Sequence, residues 1–369
     1  MGGNHDKRPL KILHIDPEKN WGGGEAQVLG LLMQLASKGH HNDLLAHPSG
    51  ILFERCQGLD IGTRPIIMRN DLDVRCVVSL RRFIREGNYD IVHFHTKRAH
   101  ALALWLPQGE PRPKYLVTRR MDYPEPRNWY TDILYNRRVD GVVAISQTIV
   151  NLLISAGVDR RKIRFIPSGI DPGKFEMSER QRAGADDFTV VGCLGGLEER
   201  KGHRYLLEAA AVLKADGLKI RYKIAGSGPL RARLEEDVAR LGLGKEVHFV
   251  GFVSDAVEFL AAVDLLAMPS LYEGLGVAAL EAMAAGRAVV ATQVGGLTES
   301  IVDGVTGVFV PPRDSAALAA AIAKLARSRP LARSMGNQGR ERVRQHFSLE
   351  NMARMNESYY YELLDAQPH

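Results

Sequence analysis

The chain reads as an α/β protein of two doubly wound halves, and three observations carry that reading. Short apolar strands alternate with amphipathic helices along nearly the whole length, which implies parallel sheets covered on both faces. The first strand ends in a glycine-rich turn that opens a helix, the unit from which such sheets are wound. A stretch rich in Pro, Gly and charge near residues 171–187 interrupts the alternation, which then starts again.

In order, "LKILHID" gives the first strand, "NWGGGEAQ" the turn, and "VLGLLMQLASKGH" a helix closed by a glycine. Strands follow at "DIVHFH", "KYLVT", "GVVAIS" and "IRFIP", with basic or amphipathic helices such as "VRCVVSLRRFIREG" between them. After the linker, "FTVVGCLGG" restarts the pattern. The helices "HRYLLEAAAVLKADG", "PLRARLEEDVARLG" and "DAVEFLAAV" then alternate with the strands "KIRYKIAG", "VHFVG" and "DLLAMPS". A further helix begins near Gly276 and leads to the strand "AVVAT"; three helices complete the chain. Two such halves predict sheets facing each other across a cleft at the carboxyl ends of their strands, where these folds bind ligands.

With 369 residues and 45% hydrophobic composition, the chain suffices for two domains with substantial cores. No run reaches the roughly 18 apolar residues of a membrane span, and the polar start passes straight into a strand without a signal-peptide core, so a cytoplasmic location is expected. Cys56, Cys76 and Cys193 are odd in number and widely spaced, which supports neither a disulfide framework nor a zinc knuckle and predicts buried thiols. Residues 1–170 hold 25 Lys and Arg against 17 Asp and Glu, so the first half carries +8 and the rest −2 of the net +6. That asymmetry suits an anionic partner, although Lys and Arg are also the ordinary solvated surface.

Several motifs fail on inspection. "GSGP" at Gly226–Pro229 opens like a dinucleotide fingerprint but has Arg231 where a third glycine belongs, and "GGGEAQ" lacks the Gly-Lys-Ser/Thr of a phosphate-binding loop. Asp71 and Asp73 have the form of a metal-binding Asp-x-Asp pair, but capping of the helix that follows explains them better. His93 and His95 share one strand face at a spacing that suits a metal, yet no third ligand is visible, so packing or substrate contact is the better expectation. No nucleic-acid-binding motif accompanies the basic charge.

One constellation holds together. In "LYEGLGVAALEAMAAG", Glu273 lies in the loop after a strand and Glu281 about one and a half turns into the next helix. Two carboxylates at this interval could serve as an acid and base, as metal ligands, or as part of a charged helix. The context of strand end, glycine loop and helix start favours a different use. The N–H groups of Gly276 and Val277 would be free donors at a positive helix end, suited to a diphosphate. A carboxylate beside them is costly to bury unless hydroxyls donate to it, and a ribose diol supplies two.

These residues resemble those of the retaining nucleotide-sugar glycosyltransferases of the GT-B type, glycosyltransferase family 4. The resemblance runs through "GGGEAQ", "PSGIDPGKF", "GGLEERKG", "AGSGPLRARLE", "VHFVGFVSD" and the block from "DLLAMPSLYEGLG" to "VFVPPRD", nearly the whole chain in order. It implies two Rossmann-like domains: an acceptor-binding one at residues 1–175, a nucleotide-sugar-binding one at 176–345, and a final helix, 346–369, packing back on the first. It also implies that Glu281 holds the ribose hydroxyls, that Gly276, Val277 and Leu275 lie along the donor, and that Glu273 orients the donor sugar. Lys201 would neutralise the diphosphate with Arg200 as its partner, and the base would stack near Val250 and Phe252. Gly23, Gly24, His95, Arg119 and Arg120 would line the acceptor side.

The chemistry follows from charge. A departing nucleoside diphosphate is the main burden, and two cations with a helix end can carry it without a metal. No cofactor or metal is therefore expected, and neither glutamate needs to act as a nucleophile. The sequence departs from the family pattern twice: Gly196 stands where an arginine usually follows a glycine, so Arg200 is expected to replace that cation. Arg120 stands in place of a histidine, which suggests a different or more anionic substrate. Arg119 and Arg120 could instead be solvated loop charges.

For the acceptor, "PEPRNWYTDILYNRRVDG" interleaves Trp129, Tyr130 and Tyr135 with Arg127, Arg137 and Arg138, a composition that suits an anionic bilayer or lipid-linked acceptor. An aromatic helix face packed on the sheet explains it equally well. The expectation is a glycan or glycolipid acceptor of the bacterial cell envelope, such as a lipopolysaccharide core sugar, reached at the inner face of the plasma membrane. Two rival readings are a nucleotide-sugar epimerase of the same architecture and a catalytically silent nucleotide-sugar-binding protein. The second would be expected to have lost Glu273, Glu281 or Lys201, all of which are present.

Overall fold

The computed structural model describes residues 8–69, 73–109, 111–175 and 188–366. Asp71 and residues 176–187 of the expected linker lie outside them. The chain forms two compact units: one comprises residues up to Gly169 together with those from Leu349 onward, and the other runs from Ile170 to Ser348.

The first unit contains β1 (Lys11–Asp16), α1 (Gly23–Ser37), β2 (His41–Ala46), α2 (Ile51–Cys56), β3 (Gly62–Pro65), α3 (Val74–Gly87), β4 (Ile91–Phe94) and α4 (Lys97–Ala101). It continues with β5 (Lys114–Arg119), the short α5 (Trp129–Thr131), β6 (Gly141–Ala144), α6 (Gln147–Ser155) and β7 (Ile163–Phe165). Its sheet has the order β3-β2-β1-β4-β5-β6-β7, with every pairing parallel. The second unit is β8 (Thr189–Leu194), α7 (His203–Ala215), β9 (Ile220–Ala225), α8 (Arg231–Arg240), β10 (Val247–Gly251), α9 (Ala256–Ala261) and β11 (Leu265–Met268). It ends with α10 (Val277–Ala284), β12 (Ala288–Thr292), α11 (Leu297–Ser300), β13 (Gly307–Val310), α12 (Ser315–Arg327) and α13 (Arg329–His346). Its sheet, β10-β9-β8-β11-β12-β13, is also parallel throughout.

The central strands are buried at nearly every position, as expected where helices cover both faces. Three strands escape the reading of apolar runs: β2, β3 and β13. Two of them are sheet edges, and β3, "GTRP", has no apolar face to detect, so only pairing with β2 makes it a strand. The last helix, α14 (Leu349–Asp365), buries Met352, Ala353, Tyr359, Tyr360 and Leu363 in one cluster with Leu10, Ile12, Leu31, Ile91 and Leu116. Full burial of a side chain of this size contributes about 1.5–3 kcal/mol, which anchors the terminal helix to the first unit.

Capping accounts for several boundaries. Asp73 accepts the Cys76 N–H at 3.1 Å at the start of α3, which fixes it as a helix cap. Cys56, Cys76 and Cys193 are free and buried, and burial pushes their thiols up to about 11, 11 and 12. No described helix is long and apolar enough to cross a membrane.

Candidate functional site

In the second unit the strand order reverses between β8 and β11, the place where doubly wound sheets receive ligands. The loops leaving these two strands are tied together by the Leu271 N–H, which donates to the Arg200 carbonyl at 2.7 Å. Beside that link, Lys201 Nζ meets Glu273 Oε2 at 2.5 Å, and the Ser270 hydroxyl donates to the same oxygen at 3.3 Å. Glu273 is only 8% exposed, so its charge is tolerable because the lysine and hydroxyl satisfy it. Arg200 instead pairs with Glu198 at 2.7 Å.

The turn into α10 depends on Gly276. Its φ of 82° is left-handed, and a Cβ there would lie 2.5 Å from Leu297 Cδ2. The N–H groups of Gly276 and Val277 accordingly start the helix with no partner among the described residues. Farther along α10, the Glu281 carboxylate has no hydrogen-bond partner among the described residues. Its carboxyl is pushed up to about 7, first by burial and then by the charge of Asp255, with Lys174 opposing. An unsatisfied carboxylate near free helix donors can accept from a diol while the helix end and Lys201 face a polyanion.

Val250 and Phe252, at and just after β10, are 42% and 49% exposed and so are available to stack on a planar ligand. Leu275 differs from expectation: its side chain is 1% exposed and belongs to the core, while its carbonyl accepts from the Ser300 hydroxyl at 3.2 Å. Any ligand contact there falls to its N–H. The nearby loop after β9 is held by glycine: Gly226 has φ 148°, and a Cβ would lie 1.9 Å from the Gly195 carbonyl oxygen. These two loops can approach only without a side chain at that position.

The first unit has its own reversal, between β1 and β4. Asp16 ends β1, His95 follows β4, Arg120 follows β5, and Glu25 occupies the first turn of α1 behind Gly23 and Gly24. Two expectations are corrected. His95 is 2% exposed, so it cannot touch an acceptor directly. Arg119 is neither a solvated loop charge nor an acceptor contact; it is 6% exposed, paired with Glu125 at 3.0 Å, and donates to the Tyr123 carbonyl at 3.0 Å. Arg120 has one guanidinium nitrogen 3.5 Å from His95 Nδ1 and a buried Nε without a partner. The candidate aromatic surface also divides: Trp129 is 73% exposed, whereas Tyr135 is buried edge-on against His100 with ring centroids 4.6 Å apart.

A third histidine, His14, joins His93 and His95, overturning the expectation that no third ligand exists. One nitrogen of each ring lies within 4.8 Å of the others, the spacing of a candidate metal cluster. The ring nitrogens are already engaged, however. His93 contacts the Tyr360 hydroxyl at 2.8 Å and the Thr118 hydroxyl at 2.6 Å; His14 Nδ1 contacts His95 Nε2 at 2.9 Å, and His14 Nε2 contacts Asn42 Oδ1 at 3.3 Å. A metal would have to displace these bonds. His14, Asp16 and Glu25 were missed because single polar residues in an apolar strand and a helical first turn resemble packing and capping. The parallel register that sets His14 beside His93 was the available signal.

Comparison with known proteins agrees with this architecture. The family model described as Glycosyltransferase Family 4 matches residues 21–174, and that described as Glycosyl transferases group 1 matches residues 175–342. The lipopolysaccharide core biosynthesis glycosyltransferase LpsE of Rhizobium meliloti is 30% identical over 367 residues, covering 97% of this chain and all of the relative. The alpha-D-kanosaminyltransferase of Streptomyces kanamyceticus is 39% identical over 150 residues, 40% of this chain and 38% of the relative. The match to that protein and to two other relatives spans 38%, 59% and 62% of their respective lengths. Among solved structures, HepE of Anabaena in complex with UDP and glucose superposes with a TM-score of 0.83 at 22% identity, over 96% of this chain and all of that one. A glycosyltransferase from Rickettsia africae gives the same TM-score at 23% identity, over 98% and 100%.

Proposed function

The chain belongs to glycosyltransferase family 4, and from that premise we propose that it moves a sugar from a nucleoside-diphosphate donor to an acceptor hydroxyl, retaining the anomeric configuration and needing no metal. The observation that carries this reading is the β8–β11 reversal, where the Lys201–Glu273 pair, the free α10 donors and the unsatisfied Glu281 converge in one unit. Glu281 accepts from the ribose hydroxyls, while the α10 N–H groups and Lys201 draw the diphosphate. Glu273, held between Lys201 and Ser270, aims the donor sugar.

Charge development decides the mechanism. As the glycosidic bond breaks, the diphosphate gains negative charge and the sugar becomes oxocarbenium-like; Lys201 and the helix end stabilise the former. The acceptor then attacks from the face the diphosphate leaves, and a departing phosphate oxygen takes its proton. This assignment leaves both glutamates unmodified throughout the cycle.

We place the acceptor in the bacterial cell envelope as a glycan or glycolipid, with lipopolysaccharide core sugars the leading class; the full-length match to LpsE supports that choice. Exposed Trp129, in a segment that also carries Arg127, Arg137 and Arg138, suits peripheral contact with an anionic membrane at its inner face. A thermal-shift screen against UDP, GDP and ADP and their sugars tests the donor half. A shift that Glu281→Ala abolishes supports the reading, whereas no shift with any nucleotide refutes it.

A further inference from the structure

The chain passes between its two units twice, at Gly169–Ile170 and at Ser348–Leu349. On the first-unit side, one helix holds both crossings. Gln27, in the second turn of α1, takes the backbone of Gly169 in a two-way pair. The Gly169 N–H donates to Gln27 Oε1 at 2.8 Å, and Gln27 Nε2 donates to the Gly169 carbonyl at 2.7 Å. In the same turn Leu349 rests directly against Gly30, where a Cβ would lie 2.6 Å from Leu349 Cδ2. Gln27 and Gly30 are three residues apart and so share one face of the helix. On the second-unit side the two segments are tied to each other. The Ile170 N–H donates to the Phe347 carbonyl at 2.7 Å, and Ile170 bridges Ser348 in parallel. Anchors therefore end on either side of two single peptide junctions.

Chemistry selects the glutamine. The backbone of one residue presents a donor and an acceptor, and an amide side chain is a neutral group that answers both. Gln27 is 2% exposed, and neither backbone group of Gly169 has another partner among the described residues. Removing the amide would leave a buried N–H and a buried C=O unpaired. Ser168 adds no second anchor, since its hydroxyl is buried with no partner among the described residues.

We propose that Gln27 is a positioning residue that seats the crossing on α1, so that rotation of the units is confined to the two peptide junctions and follows that helix. This rests on the glycosyltransferase reading, in which donor and acceptor are held by different units and must meet. The helix opens at Gly23, so the glycine turn and the seat of both crossings lie within two turns of one rigid element. Gln27 touches none of the groups expected to hold the nucleotide. Its loss therefore frees the crossing without weakening nucleotide binding.

The test uses the full chain with spin labels on Ser79→Cys and Asp216→Cys; both sites are exposed, one in each unit, whereas Cys56, Cys76 and Cys193 are buried. Gln27→Ala should speed hydrogen exchange at the Gly169 amide roughly tenfold while Ile170 stays protected. It should also widen the distribution of distances between the labels and leave the thermal shifts with UDP, GDP and ADP as in the wild type. Gln27→Glu separates hydrogen bonding from packing. Its ionised carboxylate accepts from the Gly169 N–H but offers the carbonyl no donor, whereas the protonated acid supplies both. Burial favours the protonated form, so the Gln27→Glu distribution should be wide at about pH 8 and return to the wild-type width at about pH 5. The Gln27→Ala distribution should stay wide at both. The glutamate variant also decides the matter if the alanine variant does not fold. Equal widths for the wild type and a folded Gln27→Ala, or a Gln27→Glu width that ignores pH, overturns the proposal. Nucleotide shifts in the wild type with an unchanged Gln27→Ala distribution refute the seating role alone, whereas no shift with any nucleotide refutes the transferase reading.

Discussion

Replacing Glu281 by glutamine removes a charge without changing the size of the side chain, and the structure assigns that charge a cost. The carboxyl is raised from 4.5 to about 7 by burial and by Asp255. An acid whose folded value lies above its unfolded one holds its proton more tightly when folded. Between about pH 4.5 and 7 the unfolded chain releases the proton first, so stability falls as pH rises through that window. At about 1.4 kcal/mol per pKa unit, the full loss is about 3 kcal/mol above pH 7 and is absent below 4.5. Glu281→Gln should therefore stabilise the second unit by about 3 kcal/mol more at pH 8 than at pH 4.5. Tryptophan fluorescence would miss the effect because Trp21, Trp105 and Trp129 all lie in the first unit. Hydrogen exchange across α10 reads the right unit. An identical stability difference at both pH values would refute the assigned burial cost. Nucleotide binding offers a second readout: ribose hydroxyls bond the ionised carboxylate more strongly than the neutral acid, so affinity should rise as pH passes through 7.

Glu281→Ala should weaken nucleotide binding, whereas Glu273→Ala should mainly slow turnover; equal losses of nucleotide affinity in calorimetry would sink this division of roles. Lys201→Ala leaves Glu273 without its cation and should lower the stability of the second unit by about 3 kcal/mol, seen as reduced exchange protection around β8 and β11. Gly226→Ala drives a Cβ against the Gly195 carbonyl at φ 148° and should lower the melting temperature by several degrees; an unchanged melt would show that the two loops can separate freely. Activity should survive EDTA, and full loss restored by a divalent ion would overturn the metal-free mechanism.

The candidate site of the second unit was more legible in the sequence than that of the first, for a physical reason. Glu273, Gly276 and Glu281 occupy one continuous strand, loop and helix, so spacing alone places them. Lys201 meets Glu273 because both follow strands that adjoin in the sheet. The first unit distributes its groups over β1, β4, β5 and α1, so their proximity depends on a strand order that no local pattern states. His14 looks like an ordinary interior residue until register sets it beside His93. Burial recasts Leu275 and Arg119 for the converse reason: the Leu275 side chain is core, which leaves only its N–H for a ligand, and Glu125 anchors Arg119.

Gly196, where the family pattern would have an arginine, fits the local packing. A Cβ there would lie 3.3 Å from Glu198 Oε1, and the Glu198 carboxylate holds Arg200 at 2.7 Å. A cationic side chain at position 196 would start within reach of the same carboxylate that Arg200 pairs with. With glycine at position 196, the cation that this loop carries against Glu198 is Arg200. The surface pair is weak, since Glu198 is 46% exposed, so Arg200 can leave it at small cost when a stronger anion arrives. On the proposed reading, Arg200 supplies the second cation in place of the usual arginine.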